Sequence, residues 1–225
     1  MTDPLQTGFF DHVAQLMLAN DPRVTLLGPL ADASRHLTRG LGGARVHTWN
    51  MQVSVNIPAL REGLRREQAL THLGSLDMCE ITTRTTLRIN PLYASAEPKS
   101  RVADVAAPLL IVDQSQAFLA GPDGTRHEAT IWETTDPGLV ARACETFLAT
   151  WVNSRPIIEI VDRPLLESRR LQVALHLAEG GTDREIATAL GTSQRTVSTE
   201  IRHIIDWLGA RNRAHAVAML VGADQ

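Results

Sequence analysis

Gln194, Arg195, Ser198, Thr199 and Arg202 recur at positions that an α-helix brings to one face. Guanidinium forks pair with phosphate oxygens or with the acceptor edge of guanine, and hydroxyl and amide groups reach either a phosphate or a base edge. Such a face suits a nucleic acid. Val197, Ile201, Ile204, Ile205 and Leu208 are apolar at the same period, so the helix has a stripe to bury. Upstream residues supply its start and its neighbour. Thr182 with Glu185 three residues later forms a capping box, and Ile186 and Leu190 stand one turn apart. Gly191 closes that helix and Ser193 is placed to cap the next. Gly209 stops the polar-faced helix after Leu208. Arg211, Asn212 and Arg213 then open a last helix with Ala216, Val217 and Leu220 apolar.

Residues 165–220 thus read as four short helices, with a tight junction between two of them and a second helix free to enter a major groove. That is the punctuation of a helix-turn-helix. The segment 165–221 resembles the LuxR-type helix-turn-helix family. The matches are Ala178-Glu179-Gly180, Glu185-Ile186-Ala187, Leu190, Thr196-Val197, Ile204, Leu208-Gly209, Arg211-Asn212-Arg213 and Ala216-Val217. The resemblance implies an all-α tetrahelical domain that binds double-stranded DNA, dimerises through its last helix and reads an inverted repeat. It puts base contacts on Thr199 and Arg202, and on Ser198. It puts phosphate contacts on Thr182, Arg184, Ser193, Gln194, Arg195, Thr196, Arg211 and Arg213. Two departures bear on this. Ser198 stands where the family often has a basic residue, and Glu200 where it often has histidine. A carboxylate near phosphates is unfavourable unless it accepts from a base amino group or faces away. Trp207 occupies a position that is commonly basic, and local packing is its simplest reading.

Little else in the chain points to chemistry. His12, His36, His47, His72 and His127 follow no metal-ligand spacing and read as surface or turn residues. Cys79 and Cys144 lack CxxC spacing and read as small buried hydrophobes in a reducing compartment. A phosphoacceptor receiver would need an acidic pair after the first strand, where Leu27-Gly28-Pro29-Leu30 stands instead. An acyl-homoserine-lactone pocket would need clustered aromatic residues, yet Tyr93 is the only tyrosine. The run 106–113 followed by 117–120 resembles a core hairpin of phospholipase-D-like domains, which also occur in TrmB-type sugar-sensing regulators. The enzymes of that family carry His-x-Lys and, after four more residues, Asp. Here Ala106 and Pro108 replace the His and Lys, leaving Asp113. Without the nucleophile and the phosphate-neutralising cation the reaction has no engine. Asp113 then reads as a turn residue. No catalytic residue, metal site or cofactor is expected.

The bulk properties set the frame. The chain has 225 residues and a net charge of −3, and is 44% hydrophobic but only 4% aromatic, so aliphatic side chains must build the core. Residues 165–225 carry seven arginines against seven carboxylates, which is weak electrostatics for a DNA binder. No apolar stretch spans a membrane, and the first residues lack a signal-peptide pattern, so a cytoplasmic protein is expected.

Upstream of the four helices, periodicity predicts helices over 7–20, 32–40 and 58–73 and a long one opened by Asp136-Pro137. It predicts strands over 23–28, 46–55, 79–87, 108–113, 116–120 and 129–133. This alternation favours an α/β domain. The expected organisation is an α/β regulatory domain over 1–153, a linker over 154–164 and the helix-turn-helix domain over 165–225. The expected function is a bacterial transcriptional regulator, acting as a homodimer on DNA and controlled by its α/β domain through an effector still to be identified. The rivals are a regulator that sequesters another protein and, least favoured, a phosphodiesterase-like enzyme with an appended DNA module.

Overall fold

The computed structural model describes residues 4–222. Its helices are α1 (Pro4–Ala19), α2 (Ala33–Gly42), α3 (Ile57–Ala69), α4 (Arg84–Ile89), α5 (Tyr93–Ala96), α6 (Pro137–Asn153), α7 (Ser168–Ala178), α8 (Asp183–Ala189), α9 (Gln194–Leu208) and α10 (Arg213–Leu220). Its strands are β1 (Thr25–Pro29), β2 (His47–Met51), β3 (Asp77–Thr82), β4 (Arg101–Val102), β5 (Leu109–Val112), β6 (Gln116–Ala120), β7 (Thr130–Thr134) and β8 (Arg155–Pro156). The chain forms an α/β region followed by an all-α region. It divides into two compact units, Met1–Val53 with Glu62–Thr83 and Ser100–Pro156, and Ser54–Arg61 with Arg84–Lys99 and Ile157–Gln225.

The first unit holds one mixed sheet in the order β1-β7-β6-β5-β2-β3-β4-β8. β2, β3 and β4 run parallel, and the other neighbours pair antiparallel. β5 and β6 form the tight hairpin expected of 108–120, with Leu109 opposite Leu119 and Val112 opposite Gln116. Side chains alternate between two cores. Leu109 and Ile111 of β5, Leu119 of β6 and Trp132 of β7 face the cluster that includes Phe9, Val13 and Met17 of α1 and Val140, Ala143 and Phe147 of α6. Val112, Phe118 and Ile131 face the other cluster, with Leu41 of α2 and Leu73. Both faces being covered explains why β5 reads as an unbroken apolar run rather than an alternating one.

α6 starts as its sequence requires. The Asp136 side chain accepts from the Leu139 N–H at 2.9 Å, and Pro137 sits in the first turn. Asp113 is a turn residue, with φ +50° and a carboxylate that accepts from the N–H groups of Arg45 and Val46, both at 2.8 Å, and of His47 at 3.0 Å. Burial alone would raise its pKa, but those three N–H groups hold it below the ordinary carboxylate range. Cys144 is buried in α6 and Cys79 half-buried in β3, and burial pushes both thiols up.

Two expectations need correction, and one holds only in part. The strand expected over 79–87 ends at Thr82, and Arg84 to Ile89 is helical. The Thr-rich run has β propensity, but Thr86 is buried and its hydroxyl accepts from the Val55 N–H at 3.0 Å, so tertiary contacts override propensity. The helix expected to reach residue 73 gives way to a 3-10 turn, Thr71–Ser75. His127 lies in the turn before β7, one of the two places expected for it, but not on the surface. It is buried edge-on against the Trp132 ring, with centroids 5.0 Å apart. The stretch 154–164 begins as β8, paired with β4, and continues into a 3-10 turn whose Ile157 is fully buried.

Candidate nucleic-acid interface

The second unit presents the polar face. α8 begins with the capping box. The Thr182 hydroxyl oxygen accepts from the Glu185 N–H at 3.3 Å, while the Glu185 carboxylate accepts from the Thr182 N–H at 2.8 Å. These contacts, the backbone N–H first, hold the Glu185 pKa low. α8 and α9 are separated by Leu190, Gly191, Thr192 and Ser193, and Gly191 takes the positive φ (+60°) that turns the chain. The Ser193 hydroxyl oxygen accepts from the Thr196 N–H at 3.1 Å, capping α9. Gly209, at φ +68°, ends α9, and the Ala210 N–H reaches back to the Ile205 carbonyl at 2.9 Å. Asn212 caps α10 by accepting from the His215 N–H at 2.9 Å.

The apolar stripe is buried as the spacing requires. Val197, Ile201, Ile204 and Leu208 of α9 pack inward, as do Ile186 of α8 and Ala216 and Leu220 of α10, while Ile205 is half-buried. The stripe fixes which way α9 turns its other side. Gln194, Arg195, Thr199 and Arg202 are exposed, as are Thr182, Arg184, Ser193 and Arg211. Thr196, Ser198 and Arg213 are half-buried.

Partners divide these residues into two groups. Arg184, Arg195, Arg202 and Arg211 have no side-chain ion pair among the described residues. Arg213 is committed, with Nη1 donating to Asp183 Oδ1 at 2.5 Å and Nη2 to the Gly181 carbonyl at 2.5 Å. Ser198 donates its hydroxyl proton to the same Asp183 carboxylate. Asp183 therefore ties α8 to both α9 and α10. Ser198 first, and then Arg213, depress its pKa below the ordinary value. Thr199 donates to the Arg195 carbonyl at 3.0 Å, and the Thr196 and Ser193 hydroxyls share a contact at 2.8 Å. With their protons so engaged, Ser198 and Thr199 offer an approaching ligand acceptor lone pairs, whereas Arg202 offers donors.

Glu200 faces away from this group. Arg170 Nε of α7 donates to its carboxylate at 2.8 Å, and His203 Nδ1 lies 3.7 Å from it. The Arg170 bond first, then the neighbouring charges, hold the Glu200 pKa low. Glu179 pairs with Arg61 at 2.7 Å. Trp207 Nε1 donates to the Pro164 carbonyl at 2.7 Å, a local packing role. The seven-to-seven charge balance of the module therefore misdescribes its surface. Asp183, Glu185, Glu200 and Glu179 are internally engaged, while four guanidinium groups are left to solvent. The Asp183 hub and the Arg170–Glu200 pair left no mark in the sequence, because each joins helices through residues 15 to 30 positions apart.

Comparison with known proteins bears on this region first. The family model described as bacterial regulatory proteins, luxR family, matches residues 165–220. These four helices are a LuxR-family helix-turn-helix domain. No curated protein matches the chain. Among solved structures it is similar to TrmBL2, an archaeal chromatin protein, at 15% identity over 67% of this chain and 61% of that one, with a TM-score of 0.46. It is similar to NucT from Helicobacter pylori at 13% identity over 60% and 98%, with a TM-score of 0.45. It is similar to VqmA in the Vibrio cholera VqmA–ligand–DNA complex at 14% identity over 52% and 50%, with a TM-score of 0.26. The chain thus spans 61% of the length of the first of these.

Proposed function

We propose that this chain is a cytoplasmic bacterial transcriptional regulator that binds a promoter inverted repeat as a homodimer. α9 enters the major groove, Arg202 donates to a base edge, and Ser198 and Thr199 accept from base amino groups. Arg184, Arg195 and Arg211 hold phosphates, helped by the Thr182, Ser193, Gln194 and Thr196 side chains, and Arg213 stiffens the frame beside them. The observation that carries this reading is the composition of the exposed side of α9. Among the described residues Arg195 and Arg202 make no ion pair, while Glu200, the carboxylate that lies between them in sequence, is held on Arg170; the second carboxylate of α9, Asp206, lies one turn beyond Arg202 and is exposed. Residues 1–153 act as a regulatory domain, 154–164 as the connection, and 165–225 as the reader; of these, 1–3 and 223–225 lie outside the described residues.

The regulatory domain is read as a phospholipase-D-like scaffold that does no chemistry. Ala106 and Pro108 stand at the entrance to β5, and Asp113, the remaining motif residue, is engaged with three backbone N–H groups. Arg202→Ala tests the reading. Its affinity for the preferred site should fall by about 1–3 kcal/mol, roughly 5- to 150-fold, with relaxed preference at one base pair of each half-site. An unchanged affinity and preference would remove α9 from the groove.

A further inference from the structure

The second unit contains a cavity of about 410 Å³, within the range of small-molecule sites. Its walls come from α4 and α5, from the segment before α7, and from Trp207 and Met219. None of the residues assigned to DNA lines it. Arg84 and Arg163 reach the wall against one carboxylate, Asp162, while Arg88, which also lines it, is engaged elsewhere; Arg84 and Arg163 alone leave the cavity with a cationic excess. The Arg84 side chain has no ion-pair partner among the described residues. Arg163 lies over the Trp207 ring, 5.5 Å from its centroid, which places the guanidinium group beside an aromatic face. The Trp207 N–H is already donated to the Pro164 carbonyl, so the indole can offer an occupant only apolar ring surface. Leu87, Ile160 and Met219 extend that apolar wall.

We propose that this cavity binds a small organic anion, a carboxylate or phosphate ester carried on a planar apolar body. The anionic group is taken by the Arg84 and Arg163 forks, and the ring system lies against Trp207. A planar body stacks on the indole, and a bidentate oxyanion matches the guanidinium fork in a way that a neutral hydroxyl does not. This site stands apart from the proposed DNA function, because its occupant would be held whether or not α9 reads DNA.

The test uses the full chain without DNA, with 2-naphthoate and 1-naphthyl phosphate as the anionic probes and 2-naphthalenemethanol as the neutral one. Calorimetry gives stoichiometry and affinity, and tryptophan fluorescence gives location. At least one anionic probe should bind one-to-one and quench fluorescence, and the neutral analogue should bind about tenfold or more weakly. The two anions together decide whether carboxylate or phosphate is the better group. Arg84→Gln, at an exposed position without an ion pair among the described residues, should weaken binding about fivefold or more without altering the thermal melt. Trp207→Phe should abolish the quenching while calorimetry still registers the probe. The proposal is overturned if neither anion binds, if the neutral analogue binds equally well, if Arg84→Gln leaves affinity unchanged, or if quenching survives Trp207→Phe.

Discussion

Removing the Asp183 carboxylate should loosen three helices together. In Asp183→Ala, the Ser198 hydroxyl loses its acceptor and Arg213 loses its 2.5 Å partner. A net hydrogen bond to a charged group is worth about 1.5–3 kcal/mol, and an exposed ion pair about 0–1 kcal/mol. Asp183 and Arg213 side chains are 29% and 39% exposed, so the ion pair is credited at the low end and the Ser198 bond carries most of the loss. The expected cost is about 2 kcal/mol, or a melting temperature lowered by about 4–8 °C for a chain of this size. Asp183→Asn keeps an acceptor oxygen for Ser198 and should cost about half as much. The pH dependence is a second signature. The folded pKa lies below the ordinary 3.8, so the contribution is complete above that value and disappears as pH falls through the lowered folded value. Urea titrations of wild type and Asp183→Ala should therefore show a stability gap that is constant near neutrality and narrows in acid. A loss below about 0.5 kcal/mol at neutral pH, or a gap that does not narrow, would refute the assignment of Asp183 as the hub.

Other changes test other joints. Arg170→Ala releases Glu200, whose side chain is 18% exposed, and should cost about 1 kcal/mol of stability while weakening DNA binding, read by thermal melting and fluorescence anisotropy. A DNA affinity that rises in that variant would show that Glu200 does not approach phosphate. Asp113→Ala leaves three backbone N–H groups without their acceptor and removes the short polar side chain that makes φ +50° tolerable; it should cost about 1–2 kcal/mol in urea denaturation, and Asp113→Asn less. Because the Asp113 pKa is lowered, that deficit should likewise shrink as pH falls below the ordinary carboxylate range.

Local chemistry made the polar face of α9 legible. Thr182, Glu185, Ser193 and Gly209 each act within a turn of their own position, and the α9 stripe follows helical period, so spacing alone located them. The β5–β6 hairpin was legible for the same reason. What escaped was decided by distant partners. Thr86 is held by Val55, which makes helical a run that reads as strand. β4 and β8 have two residues each and exist only through pairing, β4 with β3 and β8, and β8 with β4. The strand order places β2 between β5 and β3, which no local pattern encodes. Net charge hides the same kind of partner, since a carboxylate bound to a neighbouring helix, such as Glu200, counts the same as one facing solvent.

The most direct test of the central claim is selection of the purified full chain against a random double-stranded DNA library at near-physiological salt. A homodimeric reader should enrich a two-fold symmetric site whose half-sites lose definition in Arg202→Ala. Failure to enrich any sequence across a range of salt concentrations would contradict that claim, and a protein-sequestering role would then lead.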